Sequence, residues 1–344
     1  MAEMLIVEHE TIPIQKIISV ACRNFMAFED FRTFKFDEGV NTIIGGNASG
    51  KSSLVTVISQ ALSRTITAPW NGRWAQRSNS KESLIEMKFL AGGKEHYLRR
   101  VMLGEATTDL HLYIEDEDED IFYRDGEVID YFRKLKPIST IQGFENSRKD
   151  FYFWTNGRTT TVNPMFSKSK HLIKGINQFI PLARSEIVQL RLVGNNVMAQ
   201  YRNGELRHLS GITGSDAKII YIIAKIFNII QEIDAGNHSK VILIDEMEVG
   251  LDKRKLDGLY EVVNLLAKEL DCQFMITSRF TNGRLNPIRV RRVNIPNYYI
   301  EQNSTNLHQK IKSFVTNYTS NSRWNSILKN QGKNTTKRSF KWNP

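Results

Sequence analysis

Apolar positions along this chain follow two different patterns, and the change between them predicts the architecture. Over roughly the first third they come in short runs. Residues 15–20 form a β-branched run that predicts a strand. In residues 31–36, Phe31, Thr33 and Lys35 alternate with Arg32, Phe34 and Phe36, the period of an antiparallel strand. Residues 40–44 are apolar and run into glycines. Residues 51–62 place Leu54, Val55, Ile58 and Leu62 on one helical face. From 83 to 122, strand-like runs broken by turn residues such as Ala91-Gly92-Gly93-Lys94 predict a β-meander. A short helix is expected over 127–135. Residues 137–208 are mixed, with strands expected at 186–193 and 196–201 and no heptad repeat.

The later pattern is different. A helix over 216–233, a fully apolar strand at 241–244, a helix over 253–270 and a strand at 273–277 alternate, followed by an Arg-bearing strand at 288–295. Strands apolar on both faces and separated by helices predict a buried parallel sheet. The expected class is therefore α/β, an antiparallel β lobe joined to a mixed or parallel sheet flanked by helices.

Charge sharpens this picture by its location. The net charge is +10, with 47 Lys and Arg against 37 Asp and Glu. Residues 279–344 hold 13 basic side chains and one acid, Glu301, so they carry +12 and leave the body at −2. Tyr318, Trp324, Phe340 and Trp342 are interleaved with the basic residues beyond 302, a composition suited to phosphates and stacked bases. DNA, RNA and an acidic protein all remain candidates, DNA being favoured. Two cysteines, Cys22 and Cys272, cannot build a disulfide framework or a zinc site alone; they are expected as buried thiols in a reducing, cytoplasmic setting. The acidic start, MAEMLIVEHE, does not read as a secretory signal, and the most apolar window, 219–230, is too short and too interrupted to span a membrane. The acidic run 115–120 sits where a hairpin turn belongs and reads as a solvated turn rather than a metal site.

Two motifs carry chemistry. Gly45-Gly46-Asn47-Ala48-Ser49-Gly50-Lys51-Ser52 has the form G-x-x-x-x-G-K-S/T, between an apolar strand and an amphipathic helix. Its glycines let backbone N–H groups curl round phosphate oxygens, and the helix N-terminus adds partial positive charge. Lys51 is expected to bridge the β- and γ-phosphates of ATP, and Ser52 to ligate Mg²⁺. The second motif, Val241-Ile242-Leu243-Ile244-Asp245-Glu246, brings two acids to the end of a buried strand. Asp245 is expected to hold the Mg²⁺ shell and Glu246 to polarise the attacking water.

With these motifs, residues 16–28, Phe34-Lys35-Phe36 and Gly39-Val40-Asn41-Thr42-Ile43-Ile44 resemble the ABC-type ATPase heads of the SMC, RecF, RecN and OLD group. Those heads open with a strand, an Asn-Phe-x-x-Phe element (here Asn24-Phe25-Met26-Ala27-Phe28) and a second strand. The resemblance covers about 15–65 and 205–280. It implies an ATP-sandwiched homodimer or higher oligomer in which a signature segment faces the partner's nucleotide. Thr213-Gly214-Ser215-Asp216 is the favoured match and Ser210-Gly211 the other register. It adds Arg23 and Ser53 to the nucleotide-binding residues, Asp252 in the turn Gly250-Leu251-Asp252, and Gln142 as a sensor of Mg²⁺ and γ-phosphate. Arg279, or Ser278 in a shifted register, stands where the group has a switch His, a departure that bears on turnover rather than on ATP binding; as a catalytic residue Arg279 is expected to act as a charge clamp on the γ-phosphate, not as a neutral acceptor. Neither coiled-coil arms nor a Toprim nuclease have room, so any effector is expected to be a separate chain.

The expected organisation is an ATPase domain over 1–302, with a β-rich lobe to about 165 and an α/β lobe from about 166, then a basic, partly flexible tail over 303–344. The expected function is a DNA-linked clamp or sensor in repair, recombination or anti-phage defence. An ATP-dependent oligomeric scaffold with little turnover is the alternative; a transporter-type ATPase fits the opening element poorly.

Overall fold

The chain is described by a computed structural model. The described residues are 11–64, 82–103, 106–116, 120–141, 170–194, 196–212, 214–279 and 288–289, all within the unit Met1–Asn294. The tail expected over 303–344 lies outside them.

The early alternating segments pair as a six-stranded antiparallel sheet in the order β2-β1-β4-β5-β6-β7. Its strands are β1 (Ile14–Arg23), β2 (Arg32–Lys35), β4 (Ser83–Ala91), β5 (Lys94–Leu103), β6 (Ala106–Glu115) and β7 (Ile121–Arg124). β6 and β7 pair antiparallel; residues 117–119 of the acidic run between them lie outside the described residues. The helix α2 (Gly126–Lys134) follows directly.

The second sheet has the order β14-β3-β13-β12-β8. It is built from β3 (Val40–Ile44), β8 (Ser139–Ile141), β12 (Val241–Ile244), β13 (Gln273–Ser278) and β14 (Ile288–Arg289), every neighbouring pair parallel. The apolar runs explain its position. Val241, Leu243, Met275 and Ile43 face one core, shared with β1 and the helix α1 (Lys51–Ala61). Ile242, Ile244, Phe274 and Ile276 face a second core. That core contains the helices α4 (Gly214–Asp234) and α5 (Lys253–Leu270). Each fully buried Phe or Ile contributes about 1.5–3 kcal/mol, so this two-sided burial fixes the sheet between its helices.

Residues 216–224 of α4 are all buried, which explains why a run rich in β-branched Ile is helical: packing on all sides overrides propensity. On its outer side lie α3 (Lys170–Phe179) and a three-stranded antiparallel sheet, β11-β10-β9, made of β9 (Ile187–Val193), β10 (Asn196–Tyr201) and β11 (Leu206–His208). Neither α3 nor β8 is evident in the mixed pattern of 137–208. The strand expected over 288–295 is described for Ile288–Arg289, which lies beside β3.

Both cysteines are buried free thiols. Burial raises both thiol pKa values, that of Cys272 to about 11, so neither is a nucleophile at neutral pH.

Candidate functional site

Because the second sheet is parallel, its strands end at a common edge. β3 runs into the glycine-rich loop, β12 into Asp245-Glu246, and β13 into Arg279. β13 lies between the other two. Chain segments far apart in sequence therefore meet at one carboxyl edge, where open α/β sheets place ligands.

The loop is shaped by what lies beneath it. Gly50 has φ +107, and a Cβ there would come 2.9 Å from Ala27 Cβ and 3.2 Å from the Phe28 ring. Phe25 and Phe28 exchange backbone hydrogen bonds of 2.8 Å in a tight turn, and both rings are buried. The Asn-Phe-x-x-Phe element is thus the floor of the loop, and only glycine fits where the loop touches it. Asn47 and Ala48 are exposed above it, and Ala48 takes φ +55. Lys51 Nζ reaches back across the loop to Gly45 O (2.9 Å) and Gly46 O (3.0 Å). The helix α1 starts at Lys51 with no side-chain cap, so the N–H groups of its first turn, Lys51, Ser52 and Ser53, have no intrahelical acceptor.

On the acidic side, Ser52 Oγ donates to Asp245 Oδ1 at 3.3 Å across 193 residues. Thr277, fully buried on β13, holds both acids: its Oγ1 donates to Asp245 Oδ1 and accepts the Glu246 N–H at 2.7 Å. Glu246 itself is exposed and takes φ +55, a left-handed conformation unusual for a residue with a side chain. Its carbonyl accepts from Lys218 Nζ at 2.8 Å, and Lys218 Nζ also donates to Val249 O at 2.6 Å. Lys218 is 2% exposed. Burial pushes its pKa down to about 8, against the opposing pull of Glu248 and Glu246.

Glu248 is buried as well, and its Oε1 accepts from the Arg279 backbone N–H (3.0 Å) and Nε (3.2 Å). The Arg279 side chain is thus held against the turn after the acidic strand. Asp252 caps α5, accepting the Lys255 N–H at 2.9 Å.

Gly214 opens α4, and Leu209–Gly211, which includes the other signature register, forms a separate 3-10 turn. Ser215 and Asp216 lie in the first turn of α4. Asp216 is buried, accepting from Ser185 Oγ at 2.8 Å and pairing with Lys255 Nζ at 3.1 Å. Arg23 is exposed at the end of β1, just before the Phe25–Phe28 turn. Thr213 and Gln142 lie outside the described residues, although Gln142 directly follows β8.

Thr277, Lys218, Glu248 and Lys255 were not anticipated from sequence. The lysine inside an Ile-rich helix is unusual enough to single out Lys218, but nothing local names the partners of any of the four.

The residues fit a nucleotide and its metal. Ser49 Oγ is buried without a hydrogen-bond partner among the described residues, within a loop whose following N–H groups are free of intrahelical acceptors. Ser52 and Asp245 offer hard oxygen ligands side by side, the donor type Mg²⁺ takes.

The fold is that of the SMC-type P-loop heads. The AAA domain family is matched over residues 19–341, and the chain belongs to that family. Among solved structures, the SMC head domain from Thermotoga maritima is similar at 14% identity and a TM-score of 0.50, over 77% of this chain and 89% of that one. The Smc head bound to the C-winged helix domain of ScpA is similar at 13% identity and a TM-score of 0.52, over 76% and 89%. No curated protein matches the sequence. Among the described residues, no helix is long and apolar enough to cross a membrane.

Proposed function

We propose that this chain binds ATP with Mg²⁺ at the Gly45–Ser52 loop, hydrolyses it, and pairs with a second copy of itself across the bound nucleotide. The observation that carries the reading is the convergence of Ser52 and Asp245, with Glu246 exposed beside them. Loop N–H groups and Lys51 bind the phosphates, Lys51 exchanging its present carbonyl partners for phosphate oxygens. Ser52 and Asp245, with Gln142, would hold Mg²⁺, which when bound would supply neutralisation of phosphate charge. Glu246 orients water and takes its proton. Arg23, Asn47, Ala48 and Ser53 line the nucleotide, while Thr213, Gly214 and Asp252 face the partner's nucleotide.

Beyond this chemistry, the reading is a DNA-linked clamp or sensor in repair, recombination or anti-phage defence. The basic end supplies the nucleic-acid contact. One similar solved head is bound to a domain of another protein, ScpA, which supports a separate effector docking on this one. The second reading, a scaffold with little turnover, is favoured by one observation: Arg279 follows β13 and is paired with Glu248.

Steady-state hydrolysis and ATP affinity, measured with and without DNA, separate the readings. The enzyme reading expects Glu246→Gln to lose turnover by about 100-fold or more while ATP binding is kept, and Lys51→Ala to lose both. Wild-type turnover at background with ATP-driven assembly intact selects the scaffold.

A further inference from the structure

We propose that Lys218 is a positioning residue for Glu246, tying the backbone of that glutamate to the helix whose N-terminus carries Gly214-Ser215. The inference rests on the ATPase reading above and extends it to how one end of the site senses the other.

The geometry has three parts. First, Glu246 is held in a left-handed conformation that a non-glycine residue keeps only when its surroundings enforce it. Its N–H is fixed by Thr277 Oγ1 and its C=O by Lys218 Nζ. The Val249 N–H also closes the turn on that oxygen at 3.3 Å, but this contact is local and moves with the turn. Of these two bonds to the Glu246 carbonyl, the one from Lys218 reaches outside the turn.

Second, Lys218 sits within the buried face of α4, among Ile219, Ile220, Ile222 and Ile223. A cation there is held by two neutral carbonyls, and the buried Glu248 carboxylate compensates part of its charge. An apolar side chain would continue the face of α4 without desolvating a charge. What the lysine adds is a link between α4 and the turn from Glu246 to Val249.

Third, the link is reciprocated. Lys255, in the first turn of α5 after that same connection, donates to Ser215 Oγ at 2.8 Å and pairs with Asp216 at 3.1 Å. One lysine runs from α4 to the turn, and the other from beyond the turn back to the start of α4. A displacement of the α4 N-terminus is therefore carried to the Glu246 backbone through short, part-buried bonds. In a sandwiched dimer that N-terminus meets the partner's nucleotide, so engagement in trans sets the aim of the glutamate in cis.

The test uses the full chain and four variants: Lys218→Met, which keeps length and removes the donors, Lys218→Arg, Lys255→Met and Lys51→Ala. ATP affinity, kcat, KM and thermal melting are measured on each. Lys218→Met is expected to lower kcat by about 100-fold, the scale of an ångström-level misplacement, with ATP affinity within about threefold of wild type on the standard that uniform binding is untouched. Lys218→Arg is expected to recover part of kcat. Unchanged kcat in folded Lys218→Met overturns the proposal, as does a loss of kcat and ATP affinity in equal proportion, which marks a purely structural role. If Lys218→Met does not fold, Lys255→Met decides: reduced kcat at unchanged ATP affinity supports the link, and wild-type kcat overturns it. Absence of Lys51-dependent hydrolysis in wild type overturns the ATPase reading and this inference together. Normal wild-type turnover with an indifferent Lys218 removes only the inference.

Discussion

The two halves of the site are held by different physics. The glycine-rich loop rests on an apolar floor: Ala27 and Phe28 press against Gly50, and Phe28 packs on Phe34 at 5.3 Å between ring centroids. The acidic side is held by buried polar groups, Thr277, Lys218 and Glu248, with the exposed Arg279 paired to Glu248, arranged around the turn after β12. A steric floor fixes a loop in one shape. A polar network fixes the aim of a few atoms and can shift them together when one member moves. On the proposed ATPase reading, the contrast suits a site in which the loop keeps one shape while the aim of Glu246 is set by its partners.

If the contrast holds, damage to the floor lowers stability and ATP affinity together, while damage to the network lowers turnover first. The largest effect is expected for Phe28→Ala, about 3–5 kcal/mol of stability, the usual cost of emptying a buried ring, read by chemical denaturation. Gly50→Ala comes next. The positive φ and the contact with Ala27 together cost about 3 kcal/mol, and nucleotide affinity falls with the melting temperature. Thr277→Val conserves shape but deletes both hydroxyl bonds, so about 1–3 kcal/mol is expected; kcat should fall further than ATP affinity in steady-state assays. Asp252→Ala removes a helix cap worth about 1 kcal/mol, visible as a small shift in the denaturation midpoint with ATP affinity retained. A Thr277→Val protein that loses affinity and turnover equally would erase the distinction between the halves.

The parts legible in the sequence are the contiguous ones. The glycine loop, the apolar strand ending in Asp245-Glu246 and the α/β alternation declare themselves within windows of eight to twenty residues, because local conformation and burial set them. The strand β8 is three residues long and follows Pro137; it is a strand because it pairs with β12, a partner about 100 residues away. The helix α3 was hidden in a stretch of mixed pattern and is positioned by packing against α4 and β9. The network was illegible for the same reason. Nothing near Lys218 in sequence signals that its Nζ meets the carbonyls of residues 246 and 249. The pairing of Arg279 Nε with Glu248 was equally out of reach, since the two residues are 31 positions apart in sequence. The charge arithmetic also gains a location: Arg289, the last described member of the basic segment, is level with Ile44, where β3 enters the phosphate loop.

The central claim is that two segments 193 residues apart, meeting at Ser52 and Asp245, form one metal site. The most direct measurement is the Mg²⁺-dependent gain in ATP affinity, titrated for wild type, Ser52→Ala, Asp245→Asn and the double variant. The account predicts that each single substitution removes most of that gain and that the double variant is little worse than either, the non-additivity of groups sharing one ligand. Independent, additive losses, or a gain that survives in both single variants, would contradict it.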